Sequence, residues 1–113
     1  MCMNISNETL LRINKGFGGS LRNDSSLDYA LEIQNEKKFG EYKKLAYLLR
    51  AILVDHPFSD ANKRTATFLC LAFAEEEKKE IDRDILIHQI ISIAKKNITE
   101  IRNIEWRIKS CIK

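Results

Sequence analysis

Residues 55–67 read DHPFSDANKRTAT, and positions 56 to 64 bring together a histidine, an aspartate, an asparagine, a lysine and an arginine. This is the set of groups that phosphoryl transfer needs: a base for an attacking hydroxyl, an oxygen ligand for a divalent cation, and donors for the charge on the phosphates. The imidazole of His56 belongs to the side-chain type that exchanges protons near neutral pH. Asp60 offers the hard carboxylate that Mg²⁺ takes together with phosphate oxygens and water. It could equally serve as the N-cap of the helix that follows. Asn62, Lys63 and Arg64 set an amide, an ammonium and a guanidinium beside a predicted helix N-terminus, where unpaired backbone N–H groups already favour anions. Phe58 has no proton to give and is assigned to the core as the anchor of the loop.

Two helices must hold this stretch. Ahead of it, Leu45, Leu48, Leu49, Ile52 and Leu53 recur at the spacing of a helix that buries one face, which predicts a helix from Lys43 to Asp55. Pro57 cannot continue that helix and disfavours the α conformation at His56, so the histidine is expected at the helix exit with its ring facing a cleft. A second helix is expected from about Asn62, with Ala66, Leu69, Cys70, Phe73 and Ala74 on one face. Phe68, Leu71 and Ala72 lie off that face, so this helix is apolar nearly all round and reads as the central one.

The remaining elements read as scaffold. Residues 6–15 predict a short helix opened by Ser6 or Asn7. GFGGSLRN (16–23) predicts a turn or a small hairpin-like flap. Asp24-Ser25-Ser26 reads as a helix start, with Ser25 and Asp28 spaced as a capping box and an end near Asn35. NEKKFGEYKK (35–44) reads as a solvated connection, and EEEKKEIDRD (75–84) as a solvated helix end and turn. Ile87, Ile90, Ile91, Ala94 and Ile98 predict a further amphipathic helix capped by Asp82 or Asp84. Ile101, Ile104, Ile108 and Ile112 predict the last. With five to six helices and no credible strand pairing, the expected architecture is all-α: a compact single-domain orthogonal bundle over residues 1–113.

Composition supports that reading and excludes others. A chain of 113 residues with 44% hydrophobic content can bury one core but not two. The 19 basic and 16 acidic residues leave a net charge of only +3, and they form no basic stripe with interleaved aromatics, so nucleic-acid binding is not expected. Cys2, Cys70 and Cys111 show no CxxC spacing and come with two histidines, which supports neither a disulfide framework nor a structural zinc site. No apolar run approaches the roughly 18 residues of a membrane span, and MCMNISNETL lacks a signal pattern, so a soluble cytoplasmic protein is expected. His88 reads as a partly buried or surface histidine, Asp55 as an ordinary helix-end charge, Lys43, Lys44 and Arg50 as solvated face, and Cys70 as core.

Read together, His56, Phe58, Asp60, Ala61, Asn62, Lys63 and Arg64 resemble the signature of the Fic/Doc superfamily, HxFx(D/E)(G/A)N(G/K)R, with every fixed position filled. GGSLRNDSSLDYAL (18–31) is similar to the glycine-rich flap and following helix of Doc-type members, and IEWRIK (104–109) to their C-terminal helix. The resemblance implies a compact helical bundle in which His56 activates a target hydroxyl and Asp60 holds Mg²⁺. It also implies that Ala61, Asn62, Lys63 and Arg64 bind the phosphates of ATP. AMP-transferring members usually carry glycine where this chain has Lys63, and a second arginine where it has Thr67. Both departures point to the Doc type, which transfers the γ-phosphate to a protein hydroxyl, the prototype acting on elongation factor Tu.

No glutamate of this chain is followed by Gly or Asn, so the self-inhibitory helix motif of many Fic proteins is missing. The resemblance therefore implies a toxin held by a separate antitoxin, whose disordered tail folds as a helix over an apolar groove. An AMP transferase and a non-catalytic helical interaction module are the alternatives.

Overall fold

A computed structural model describes residues 5–23 and 25–112. Among these residues six helices follow in order: α1 (Asn7–Gly16), α2 (Ser25–Ile33), α3 (Glu41–Leu53), α4 (Asn62–Glu76), α5 (Arg83–Lys96) and α6 (Ile101–Cys111). Among the described residues there is no strand, only the isolated antiparallel bridges Leu21–Phe58 and Ile81–Ile112. This is the expected all-α architecture. Among the described residues no helix is long and apolar enough to cross a membrane.

The helix in the middle is α3, not α4. It packs against α2, α4, α5 and α6, and its Leu45, Leu48, Leu49, Ile52 and Leu53 are each at most 1% exposed. On α4, Phe68 is 43% exposed and Leu71 and Ala72 are only half-buried, so part of its apolar circumference faces outward. Helix α4 is packed on several sides, against α1, α3 and α5, but these leave Phe68 and its neighbours outward, so it is less enclosed than α3.

Helix ends follow local chemistry. Ser6 caps α1 and its side chain accepts from the Thr9 N–H at 3.1 Å. Asp82 caps α5 by accepting from Ile85 N–H at 3.1 Å, which decides between the two aspartates. Gly40, in an extended conformation, starts α3 two residues ahead of Lys43. Helix α2 starts at Ser25 itself, so Ser25 is not its cap; the Ser25 N–H donates to Asn23 Oδ1 at 3.0 Å. Asp24 and Cys2 lie outside the described residues.

Three surface assignments change. Lys44 is 7% exposed, its stem packed under the bundle and its ammonium 3.8 Å from Glu41. Arg50 is half-buried, over the Tyr47 ring at 5.0 Å and donating to the Thr99 carbonyl at 3.4 Å. The 35–44 connection is pinned by Phe39, which stacks on Tyr47 with ring centroids 5.9 Å apart. Helix α5 is rotated by about one position from expectation: Leu86, Ile90 and Ile93 are buried, while Ile87 and Ile91 are 47% and 48% exposed. His88 is at the surface, and Cys70 and Cys111 are buried free thiols.

Candidate active site

Eight residues separate α3 from α4, and their backbone is unusual. His56 has φ +49° and Ala61 φ +62°, so two residues with side chains occupy the left-handed region within one short loop. Such conformations persist only where surrounding contacts determine them, and they concentrate at functional sites. The helix ends at Leu53, three residues before His56, which therefore sits in the loop and not at the immediate helix exit.

The flap supplies the first set of contacts. The Pro57 carbonyl accepts from Arg22 N–H at 2.7 Å and Asn23 N–H at 3.0 Å, and the His56 carbonyl accepts from the Arg22 guanidinium at 3.1 Å. Ser59 N–H donates to the Ser20 carbonyl at 2.8 Å, and Ser20 N–H to Ser59 Oγ at 3.1 Å. The loop is thus bridged to residues 20–23 on both sides of Phe58. Phe58 is 1% exposed and fulfils its assignment as the apolar anchor.

Asn62 clamps the loop from the α4 side. Its Oδ1 accepts from Phe58 N–H at 3.3 Å and its Nδ2 donates to the Phe58 carbonyl at 3.1 Å. With its amide so engaged, Asn62 has its side-chain polar atoms tied to Phe58, leaving its backbone N–H as a remaining donor. The N-cap of α4 is Ala61, not Asp60, and no side chain caps the helix. The first N–H to find a helical acceptor is that of Thr65, on the Ala61 carbonyl at 2.9 Å. The donors of the preceding turn are left to solvent or a ligand. Asp60 Oδ1 accepts from Ala61 N–H at 2.7 Å, and Oδ2 stands 4.0 Å from the Arg64 guanidinium.

His56, Ser59, Asp60, Ala61, Asn62, Lys63 and Arg64 line one cleft of about 370 Å³. All the candidate residues named from the sequence therefore meet at one place. Asp55 is exposed, and no hydrogen bond or ion pair joins it to His56, in keeping with its reading as a helix-end charge. Lys63 and Arg64 also border a neighbouring apolar groove of about 380 Å³, lined by Phe17, Thr67, Phe68, Leu71, Ile87 and Ile91. Thr67 turns its hydroxyl back onto the Lys63 carbonyl at 2.8 Å. Among the described residues no cluster of three or more His, Cys, Asp or Glu could hold a metal ion alone.

The sequence marks residues 16–23 as a glycine-rich flap but does not single out Arg22 or Gly19 within it, and Asn14 and Thr65 are missed; all four sit against the loop or its flap. A signal existed for Asn14: it follows Leu10 by four and Ile13 by one, so it occupies an apolar register on α1.

A family model described as the Fic/DOC family matches residues 4–74. No curated protein and no solved structure matches the chain at the significance required. With that match spanning more than half of the chain and the whole of the cleft, this protein belongs to the Fic/DOC family, whose members are generally transferases.

Proposed function

We propose that the protein is a Doc-like phosphotransferase that moves the γ-phosphate of ATP to a hydroxyl of a target protein, acting as the growth-arresting toxin of a toxin–antitoxin pair. The observation that carries this reading is the open N-terminus of α4. It is capped by a left-handed alanine without a polar side chain, and it faces a cleft that also holds an imidazole, a carboxylate and two cations. A helix start with free N–H groups and adjacent Lys and Arg is suited to phosphate.

In this reading the target hydroxyl oxygen attacks the γ-phosphorus while its proton passes to the His56 imidazole. The bond from the γ-phosphorus to the β,γ-bridging oxygen breaks, and the ADP that leaves is held by Lys63, Arg64 and the first N–H groups of α4, around Ala61 and Asn62. Asp60 is the carboxylate that fits Mg²⁺: it is exposed on the cleft, and a single carboxylate suits a cation carried mainly by nucleotide phosphates and water. When bound, Mg²⁺ would neutralise phosphate oxygens.

Lys63 and Thr67 favour γ-phosphate transfer over AMP transfer. Lys63 borders both cleft and groove, and the Thr67 hydroxyl is tied to the backbone where AMP-transferring members place a second guanidinium. The apolar groove beside Lys63 and Arg64 fits the antitoxin expected for such a toxin, an amphipathic helix with an acidic end. An elongation-factor-like target would place the protein in the cytoplasm.

Incubation of the protein and a cell extract with γ-labelled or α-labelled ATP tests the chemistry. Protein-bound label from the γ position alone supports phosphotransfer. Label retained only from the α position would replace it with AMP transfer. A chain whose melting temperature ignores ATP and Mg²⁺ and which transfers neither label would be a non-catalytic module.

A further inference from the structure

We infer that Asn14 is a positioning residue for the anion-binding end of α4, forming the α1 half of a buried latch that fixes the left-handed turn at Ala61. The open helix start creates a problem of its own. A capping side chain would hold the turn but would stand where an anion enters, and Ala61 cannot cap. Asp60 and Asn62 tie parts of the loop from the cleft itself, and a tie that leaves the anion's path open has to come from the side away from the cleft.

Asn14 lies on that side and is 0% exposed. Its Nδ2 donates to the Asp60 carbonyl at 2.9 Å and to Thr65 Oγ1 at 3.1 Å. These acceptors bracket Ala61: one is the preceding carbonyl, the other sits one turn into α4 on a residue that is also 0% exposed. The Thr65 N–H in turn closes on the Ala61 carbonyl at 2.9 Å. One amide nitrogen thus spans residues 60–65 from a position 46 residues earlier than Asp60.

The chemistry selects asparagine. Two N–H donors on one nitrogen are required, which aspartate and leucine lack and which glutamine would carry one methylene too far. The flap seals the latch: a Cβ on Gly19 would collide with the Asn14 amide and the Asp60 carbonyl, and the Gly19 N–H itself donates to the Asn14 carbonyl at 3.1 Å. Asn14 Oδ1 is buried without a partner, so the amide is held by its nitrogen side alone. Releasing that nitrogen frees Ala61 to leave the left-handed region and turns the N–H groups of Asn62, Lys63 and Arg64 away from the cleft.

The functional consequence rests on the phosphate reading of the cleft, whereas the latch itself is measurable without any ligand. Amide hydrogen exchange of peptides covering 57–66 is compared in the full chain and in Asn14→Ala, Thr65→Val, Thr65→Ser and Leu10→Ala, each at the same interval below its own melting temperature. Leu10→Ala removes core packing from α1 without removing either hydrogen bond of the Asn14 amide. Exchange in 57–66 should rise about tenfold in Asn14→Ala relative to Leu10→Ala, with Thr65→Val intermediate and Thr65→Ser restored. Inorganic pyrophosphate affinity should weaken in step. Equal exchange in Asn14→Ala and Leu10→Ala would overturn the latch. If Asn14→Ala does not fold, the Thr65 pair decides, and identical exchange in Thr65→Val and Thr65→Ser would overturn it. Expected exchange with no pyrophosphate bound to the unaltered protein upholds the latch and removes the phosphate reading instead.

Discussion

Gly16, Gly18 and Gly19 lie within four positions, yet they meet different surroundings, so replacing each by alanine makes a sharp test of the flap geometry. At Gly19 the new Cβ would have to displace the Asp60 carbonyl, which is backbone, and the Asn14 amide. Overpacking of this kind costs about 1–3 kcal/mol, and loss of the Asn14–Asp60 hydrogen bond adds about 1 kcal/mol. The sum, about 2–4 kcal/mol, lies below the 5–15 kcal/mol typical of a domain, so the chain still folds. At Gly18 the Cβ meets open space, but φ is +92°. The left-handed penalty of about 1–2 kcal/mol is partly offset by the stiffer unfolded chain. At Gly16, the last residue of α1, a Cβ meets nothing and φ is not left-handed, so alanine should stabilise by about 0.5–1 kcal/mol. Thermal unfolding followed by circular dichroism reads the order directly: Gly16→Ala highest, then the unaltered chain, then Gly18→Ala, then Gly19→Ala. At about 4 °C per kcal/mol for a chain of this size, Gly19→Ala should melt about 8–16 °C lower. A melting point for Gly19→Ala within about 2 °C of the unaltered protein, or above that of Gly18→Ala, would refute the close approach of flap and motif.

Other expectations address the chemistry and the core. His56→Ala should abolish protein labelling from γ-labelled ATP and relieve growth arrest on expression while leaving the melting temperature nearly unchanged; equal toxicity of the two forms would count against catalysis. Lys63→Gly combined with Thr67→Arg should shift protein-bound label from the γ towards the α position, and an unchanged ratio would show that these two residues do not set the transferred group. Phe58→Ala should destabilise by about 3–5 kcal/mol in urea unfolding, because a fully buried ring that anchors the loop is lost. Burial, with a smaller contribution from Cys111, pushes the Cys70 thiol well above its ordinary range, and burial raises Cys111 as well. The folded state therefore keeps a proton that the unfolded chain loses near pH 8.5, so this stability is complete below that pH and declines above it, by up to about 1.4 kcal/mol per pH unit for Cys70. Cys70→Ala should flatten the decline in melting temperature between pH 8.5 and 10.5; identical slopes would argue against the buried thiol.

Much of this protein was legible in the linear chain because it depends on neighbours within a turn or two. The spacing of Leu45, Leu48, Leu49, Ile52 and Leu53 specifies a helix and its buried face, and Ser6 and Asp82 mark helix starts. Pro57 forces a break, and the residue types from His56 to Arg64 specify what chemistry that break can support. Tertiary structure decided what depends on the partner. The apolar arc of α5 is wide enough for either register, and packing chose Leu86, Ile90 and Ile93, leaving Ile87 and Ile91 on the groove. Lys44 has the composition of a surface residue, and only the packing around α3 buries its stem. The Asn62 amide could have faced a phosphate, but the left-handed turn at Ala61 brings it onto Phe58. Asn14 shows the division most clearly. Its place on the apolar side of α1 is written in local spacing, whereas the Asp60 carbonyl and Thr65 hydroxyl that satisfy it lie far along the chain, and only folding brings them within hydrogen-bond reach.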